Sequence, residues 1–353
     1  MLAARSRAST GEFSQEESER MRTALRAQVM SRVGKIASPA FGLAGIRPEA
    51  MPLSTAWTPR AAAQIRRRLD TGRYDAVLAT GPPFAALMGA RIASRAGAPP
   101  FVVELRDLWA GNPSFDRGGR VLSALESWVL RGSEAVVAMT AEATEDLRGR
   151  HPELSDRVHE ISNGFEPELL ERRSTTPALG RPIEILHSGT LTIDRPLSPL
   201  LRALSGDFRL VLHGYVAPEI RREIEQSSRP VEIVAPSAWE DAVSRIAEAD
   251  VTLVTQARGA GDATAVATKV YEYLALGKPV LCLSHGGATE ALLRRLGADQ
   301  LCARLDDEAS IRAVLECVRS GELPPAVPPR RLEPYARPGL AKRLAELLDS
   351  LGT

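Results

Sequence analysis

The sequence predicts an α/β protein built from two doubly wound, Rossmann-like domains, and three observations carry this prediction. Short apolar runs alternate with amphipathic helical segments from residue 61 onward, which is typical of parallel strands with helices on both faces of a sheet. A charged stretch with three prolines at residues 166–182 interrupts the alternation, which then restarts. The chain of 353 residues is also too long for one ordinary domain.

The first half alternates between strands and helices in a regular order. Its apolar runs are bounded by Gly, Pro or charged residues, and its helical segments place apolar residues on one face. The predicted strands are residues 74–80, 101–105, 135–139 and 158–161, and the predicted helices are residues 61–69, 84–96, 120–131 and 142–150.

The second half repeats the same plan with more strands. A Pro-rich break at residues 324–329 precedes its last helix. The predicted strands are residues 183–186, 209–213, 231–234, 251–255, 280–283 and 300–303. The predicted helices are residues 197–204, 218–226, 240–248, 268–276, 288–296, 309–319 and 340–351.

These patterns divide the chain into four segments. Residues 1–60 show no strong period and form an atypical N-terminal segment, followed by an N-terminal domain at 61–170. A second domain follows at 178–330, and residues 331–353 contain the C-terminal helix. In doubly wound sheets ligands bind beyond the carboxyl ends of the strands, so we expect the two domains to face a cleft with their strand-end loops.

The composition excludes several classes of protein. The charge of +1 at pH 7 predicts no nucleic-acid partner. No apolar run reaches the length of a membrane span and no signal peptide is evident, so we expect a cytoplasmic protein, with peripheral membrane contact left open. The cysteines Cys282, Cys302 and Cys317 lack metal-ligand spacing, and we expect free thiols and no metal site.

The turn after strand 183–186 is a candidate phosphate site. Gly189 and Thr190 follow the strand end, where a glycine permits close backbone approach to a phosphate. Arg195 lies six residues after Gly189, and its guanidinium group can donate two parallel hydrogen bonds to phosphate oxygens. An ordinary tight turn with a surface arginine explains the same residues, because no complete glycine-rich phosphate motif is present.

The helix beginning near residue 268 carries a second candidate group. Thr268 is a plausible N-cap. Lys269 lies in the first turn, where the helix dipole disfavours a cation, but a bound anionic ligand would make a cation favourable there. Glu272 follows one turn later and could accept hydrogen bonds from ribose hydroxyls. The alternative is a surface ion pair between Lys269 and Glu272.

Strand ends in the first half also carry polar residues. Arg106, Asp107 and Trp109 follow strand 101–105, where cleft residues and a structural ion pair are equally good readings. Gly81 lies in a strand-to-helix turn, and Asn163 begins an Asn-Gly turn. His187, His213 and His285 fall near strand ends, but nothing in the sequence places them together.

Taken together, five strings resemble one known family. Their order and spacing resemble bacterial retaining glycosyltransferases of the GT-B fold, family four (glycosyl transferases group 1), over roughly residues 60 to 350. The strings are YDAVLATGPPFAAL, VVELRDLW, ISNGFEPE, HSGTLTIDRPLSPLLRAL and TKVYEYLALGKPVL.

The resemblance implies a nucleotide-sugar donor in the second domain and a glycan, lipid-linked or small-molecule acceptor in the first. It implies transfer with retention, no obligatory metal ion and no cofactor apart from the substrate. Glu272 would bind the ribose of the donor. The diphosphate would be bound by Gly189, Thr190 and Lys269, and Arg195 would neutralise the charge of the departing diphosphate. Asp107 and Arg106 would lie near the donor sugar. The remaining candidates are Ser237 and Thr268 on the donor side, and Gly81, Trp109 and Asn163 on the acceptor side.

Two departures from the family pattern qualify this reading. Thr264 stands where the family often has an acid eight positions before Glu272, which suggests altered sugar recognition. The N-terminal strands and glycine loop of the family have no counterpart, so we expect an incomplete first domain. The alternatives are a nucleotide-sugar-binding protein that is catalytically impaired or needs a partner or a longer N-terminus, and, less favoured, a nucleotide-sugar 2-epimerase.

Overall fold

The computed structural model describes six stretches of the chain: residues 57–94, 97–112, 119–174, 182–227, 229–257 and 263–352. Most of the atypical segment predicted at residues 1–60 lies outside the described residues, as does the glycine-rich part of the loop before Thr268.

The first sheet is a four-stranded parallel sheet in the order β1-β2-β3-β4. Its strands follow one another in the sheet as they do in the chain, so each connecting helix crosses to the next position. The strands are β1 (Val77–Gly81), β2 (Phe101–Leu105), β3 (Ala135–Ala138) and β4 (Val158–Glu160). The helices are α1 (Trp57–Leu69), α2 (Ala85–Ala93), α3 (Arg120–Arg131) and α4 (Ala141–Arg150).

The second sheet has six parallel strands in the order β10-β9-β8-β5-β6-β7. The strand order reverses direction at β5, between β8 and β6, which is the kind of position where doubly wound sheets bind ligands. The strands are β5 (Ile183–Ser188), β6 (Phe208–His213), β7 (Val231–Val234), β8 (Val251–Thr255), β9 (Val280–Ser284) and β10 (Cys302–Arg304).

Helices cover both faces of the second sheet. The helices of this half of the chain are α5 (Ser198–Ala203), α6 (Pro218–Ser227), α7 (Trp239–Glu248), α8 (Lys269–Ala275), α9 (Ala288–Leu296), α10 (Glu308–Ser320), α11 (Pro329–Leu332) and α12 (Arg337–Leu351), of which α12 extends beyond the second unit. Two separate apolar clusters result, one with Ile185 and Leu210 and the other with Leu186 and Val211. Neighbouring residues of one strand thus enter opposite cores, as period-two alternation requires.

The predicted α/β fold with parallel sheets is confirmed, and one difference in a strand boundary matters for function. Strand β5 continues to Ser188, two residues beyond the predicted end, because His187 pairs with Leu212 and Ser188 with His213 in β6. The histidine at position 187 therefore belongs to the sheet and not to the loop that follows it.

A long-range connection closes the second core. Phe165 and Ala336 form a parallel bridge, in which Phe165 N donates to Tyr335 O at 3.1 Å and Arg337 N donates to Phe165 O at 3.0 Å. Phe165 is fully buried in the cluster that also contains Leu169 and Leu332. Two segments far apart in the sequence thus complete one core.

The chain divides into two compact units. The second contains Ile161–Leu344, whereas Ala143–Glu160 and the residues from Ala345 onward group with the first. Within the described residues, no helix is long and apolar enough to cross a membrane. All three cysteines are free, Cys282 buried and the other two half-buried.

Candidate functional site

Two glycine turns meet after β5 and β6. Gly189 has φ +127° and Gly214 has φ +133°, a region that side-chain-bearing residues rarely adopt. Gly189 N donates to His213 O at 2.8 Å, and Gly214 N donates to Val234 O at 2.9 Å. A Cβ on Gly214 would stand 2.3 Å from the Gly189 carbonyl oxygen, so glycine is needed at position 214 for this close approach.

The ammonium group of Lys269 lies directly over the Gly189 turn. A Cβ on Gly189 would meet Lys269 Nζ at 2.7 Å. The same Nζ lies 3.2 Å from Nε2 of the buried His187. The structure therefore brings together two residues predicted for the diphosphate, Gly189 and Lys269.

The environment of Lys269 holds its pKa far below the ordinary value. Burial is the main cause, and the nearby positive charge of Arg195 adds to it, while Glu272 acts in the opposite direction; the pKa falls to about 7. Near neutral pH the amine thus exists in both protonation states. An anion bound beside it would favour the charged form.

Arg195 connects the loop after β5 to the end of β8. Its Nη1 donates to the Thr255 carbonyl at 3.3 Å, and its backbone N donates to Thr192 O at 3.0 Å. The side chain is half-buried and close enough to Lys269 to affect its pKa. Arg195 is therefore a half-buried residue held at the end of β8, and its role toward a phosphate stays a prediction.

Tyr273 fixes the end of β5, and sequence reasoning missed it. Its hydroxyl accepts a hydrogen bond from Ser188 N at 3.0 Å and donates to Ser188 O at 3.3 Å. The side chain is fully buried, and burial raises its pKa, so the phenol remains protonated. Because Ser188 directly precedes Gly189, helix α8 sets the position of the glycine turn.

Glu272 lies in a group of charged and aromatic side chains. Burial raises the pKa of its carboxyl group, whereas the positive charge of Arg337 and a hydrogen bond from the Trp239 side chain lower it. Arg337 itself donates to Glu166 Oε1 at 2.7 Å. Trp239 begins α7 and remains 45% exposed.

The alternative of a surface ion pair between Lys269 and Glu272 is wrong. Among the described side chains these two form no salt bridge, because Lys269 Nζ turns to His187 while Glu272 interacts with Trp239 and Arg337. Thr268 also differs from its prediction as an N-cap. Its backbone is already helical, at φ −52° and ψ −35°, and its side chain makes no cap hydrogen bond. Thr268 and Thr190 are both exposed.

Ser237 lies in the segment between β7 and α7. Its hydroxyl is 3.1 Å from His213 Nε2 and donates to Ala238 O at 3.2 Å. His213 is buried and is the last residue of β6, immediately before Gly214. Ser237 is thereby tied to the strand that carries the second glycine turn.

In the first unit, Gly81 and Arg106 are neighbours at adjacent strand ends. Arg106 N donates to Gly81 O at 2.9 Å, and the Arg106 side chain is exposed. Burial raises the pKa of the Asp107 carboxyl, an effect that the Arg106 charge opposes. Asp107 is thus a half-buried acid beside an exposed cation at the carboxyl end of β2.

The prediction that Trp109 lies on the acceptor side is wrong. Trp109 is 0% exposed and stacks on Phe84, with ring centroids 4.9 Å apart and planes 5° apart. Ala110 N donates to the buried Glu126 carboxylate at 2.8 Å, which folds the chain after β2 back into the core. A side chain enclosed in this way has no surface to offer a substrate.

Asn163 is half-buried, and its neighbour Gly164 has a structural role. A Cβ on Gly164 would stand 2.0 Å from the Tyr335 carbonyl oxygen, so the glycine permits the bridge between Phe165 and Ala336. The Asn-Gly pair therefore serves more than a simple turn. Within the described residues, no cluster of three or more His, Cys, Asp and Glu side chains could hold a metal ion.

For several residues of the site, no local sequence pattern indicated a functional role. His187 and Tyr273 act through partners far away in the chain, and Trp239 looked like an ordinary first residue of a helix. Gly214 could have been found, because it follows a buried strand as Gly189 does. Reading the two strand ends together would have predicted the paired glycine turns.

Comparison with known proteins finds a family match over part of the chain. Residues 18–164 match the family described as "Glycosyl transferase 4-like domain", a match that begins inside the segment set apart as atypical. Solved glycosyltransferase structures match most of the chain. The chain has the fold of these glycosyltransferases. No curated protein sequence matches it.

Several solved glycosyltransferase structures share the fold of this chain at low sequence identity. Anabaena HepE, in complex with UDP, is 15% identical at a TM-score of 0.65, with 82% of each chain covered. A glycosyltransferase from Rickettsia africae is 12% identical at a TM-score of 0.65, covering 83% of this chain and 81% of its own. The lipopolysaccharide outer core galactosyltransferase WaaB is 14% identical at a TM-score of 0.60, and the match covers 85% of this chain and 82% of WaaB.

Proposed function

We propose that this protein is a glycosyltransferase, which moves a sugar from a nucleotide-sugar donor to an acceptor hydroxyl, with retention at the anomeric carbon and without a metal ion. The convergence of Lys269 and Arg195 beside the Gly189 turn is the observation that carries the proposal. Two cations next to accessible backbone form a suitable site for a diphosphate.

The roles of the donor-side residues follow from this placement. Lys269 and Arg195 neutralise the diphosphate, and the Gly189 turn allows the phosphates to approach the backbone. The exposed Thr190 directly follows Gly189, and the exposed Thr268 directly precedes Lys269. Glu272 accepts hydrogen bonds from the ribose hydroxyls. The segment at Ser237 contacts the base, and UDP bound to HepE makes uridine the first base to test.

The chemistry requires these cations because charge separates as the bond breaks. Cleavage of the sugar–phosphate bond puts negative charge on the departing diphosphate and positive charge on the anomeric carbon. Cations that are already oriented lower this barrier without reorganising. Asp107 and Arg106, with Gly81 and Asn163, are the candidates for contact with the sugar and the acceptor, which is a glycan, a lipid-linked sugar or a small molecule.

A binding panel followed by turnover tests the proposal. We expect UDP, dTDP, GDP or ADP to raise the melting temperature, because a ligand that binds only the native state stabilises it. The matching nucleotide sugars are then incubated with candidate acceptors in EDTA, and the product anomer is assigned by NMR. Stabilisation without any nucleotide release would favour a binding protein that does not catalyse. No stabilisation by any of the four nucleotides would contradict the donor site.

A further inference from the structure

His187 is a buried polar side chain between two functional elements. It is 1% exposed and lies in β5, at the centre of the second sheet. Its Nδ1 is 3.2 Å from the Leu253 carbonyl oxygen of β8, and its Nε2 is 3.2 Å from Lys269 Nζ. Both ring nitrogens thus have a defined partner.

The chemistry of these two partners determines the tautomer. A backbone carbonyl can only accept a hydrogen bond, so Nδ1 carries the proton that is donated to Leu253. An ammonium group can only donate, so Nε2 offers its lone pair to Lys269. The sheet therefore holds the imidazole as a neutral acceptor aimed at the lysine.

We propose that His187 is a positioning residue that holds the Lys269 ammonium over the Gly189 turn, and that capture of a diphosphate brings a proton to this lysine. The inference rests on the proposed function and adds to it a partner for Lys269 and a proton count for donor binding. His187 is only 1% exposed, so its ring offers no surface to the donor and acts through Lys269.

The charges around the pair support this role. Burial, the Lys269 charge and the Arg195 charge keep the pKa of His187 well below its usual range, and the Leu253 and Thr190 carbonyls oppose this only in part. His187 is therefore neutral throughout the range in which Lys269, with a pKa of about 7, changes charge. The charged groups facing Lys269 are Arg195 from the loop after β5 and Glu272 from its own helix.

The direction of the pH effect follows from these charges. A bound diphosphate favours the ammonium and raises the pKa of Lys269, so binding takes up a proton between about pH 7 and the pKa of the complex. Affinity for the diphosphate is greatest at the low end of this interval and falls as the pH rises through it.

Calorimetry tests this first with the wild-type chain. Binding of the nucleoside diphosphate that binds most tightly among UDP, dTDP, GDP and ADP is measured at pH 8 in two buffers of different ionisation enthalpy. We expect a buffer-dependent enthalpy that corresponds to net proton uptake. Equal enthalpies in both buffers would overturn the inference while leaving the donor site intact.

A matched pair of variants then separates positioning from packing. His187→Asn places an amide N–H near Nδ1, which keeps the donor to Leu253 but removes the acceptor for Lys269. His187→Gln places a carbonyl oxygen near Nε2 and keeps that acceptor. His159→Asn, in β4 of the first unit, is the control for loss of a histidine.

We expect His187→Asn to weaken diphosphate binding on the order of tenfold, because an acceptor for the ammonium is lost. For the same reason, the affinity of this variant for the diphosphate should begin to fall at a lower pH than that of the wild type. His187→Gln should restore both the affinity and the pH profile. Asn and Gln variants that bind like the wild type would show that His187 serves the core alone. If the wild type bound none of the four nucleotides, the proposed function would fail together with this inference.

Discussion

Gly214 approaches Gly189 so closely that a Cβ on Gly214 would lie 2.3 Å from the Gly189 carbonyl oxygen. The loops after β5 and β6 therefore meet backbone to backbone, with no side chain between them. Lys269 Nζ lies beside the same turn, where a Cβ on Gly189 would meet it at 2.7 Å. The cation is thus next to a turn whose close backbone contact requires glycine at position 214.

Gly214→Ala should disturb both the fold and the donor site. The positive φ alone costs about 1–3 kcal/mol, and the contact with the Gly189 carbonyl forces the turn to move. We expect a lower urea midpoint and loss of UDP affinity in calorimetry. Gly206→Ala, where an added Cβ meets nothing within 4 Å, is the control and should leave both unchanged. Wild-type UDP affinity in Gly214→Ala would show that the turn is not part of the site.

Glu272→Gln should weaken nucleoside diphosphate binding about tenfold while the fold survives. The amide has the same shape but makes weaker hydrogen bonds to ribose hydroxyls than a carboxylate does. Calorimetric titration measures the affinity, and thermal unfolding checks the fold. Glu316→Gln, in an exposed ion pair with Arg319, is the control. Unchanged affinity in Glu272→Gln would refute the ribose role.

Arg195→Ala should slow sugar transfer more than it weakens donor binding. Removal of a cation that stabilises the departing diphosphate costs on the order of a hundredfold in kcat. The pKa of Lys269 should rise, because Arg195 contributes to its depression, so tight binding should persist to higher pH. Steady-state kinetics and pH-dependent titration measure the two effects. Arg202→Ala, exposed on α5, is the control, and wild-type turnover in Arg195→Ala would contradict the role.

Trp239→Phe should raise the pH below which nucleotide binding is lost. The hydrogen bond from the Trp239 side chain lowers the pKa of Glu272, and phenylalanine cannot donate it. The carboxyl should then become protonated at a higher pH than in the wild type, and binding that needs the carboxylate should be lost there. Titrations from pH 4 to 7 measure this limit. Trp128→Phe, which removes an exposed indole from α3, should not move it.

Glu126→Ala should destabilise the first unit. The carboxylate is 0% exposed, accepts from Ala110 N, lies 3.1 Å from His151 Nε2 and pairs with Arg150. Its removal leaves these groups without their acceptor, at a cost of about 3 kcal/mol. Urea unfolding measures the change. Glu153→Ala, from an exposed pair with Arg131, should leave the midpoint nearly unchanged. Equal midpoints for the two variants would refute the importance of the buried acid.

The sequence predicted the strands well because their apolar runs are continuous. Strands such as β2 and β8 are buried between helices, so most of their residues are apolar on both faces, and this leaves a clear pattern. Local patterns also indicated Gly189, Lys269 and Glu272 as a group. A cation in the first turn of a helix is unusual enough to be noticed without any knowledge of its neighbours.

What the sequence could not predict depends on contacts between distant segments. Trp109 follows a strand end, as a substrate-binding residue would, but the hydrogen bond from Ala110 to Glu126 turns it into the core. His187 gains its role from Leu253 on a neighbouring strand and from Lys269 on a helix. No local pattern contains these pairings, because they arise only when the sheet is assembled.

The bridge between Phe165 and Ala336 has a consequence for the biosynthesis of the chain. A ribosome releases residue 165 long before residue 336, and the buried Phe165 then lacks the backbone partners that it has in the finished protein. Leu332, on the same late segment, also belongs to this core. The second unit therefore cannot be completed before residue 336 has been made, which is after all six strands of its sheet.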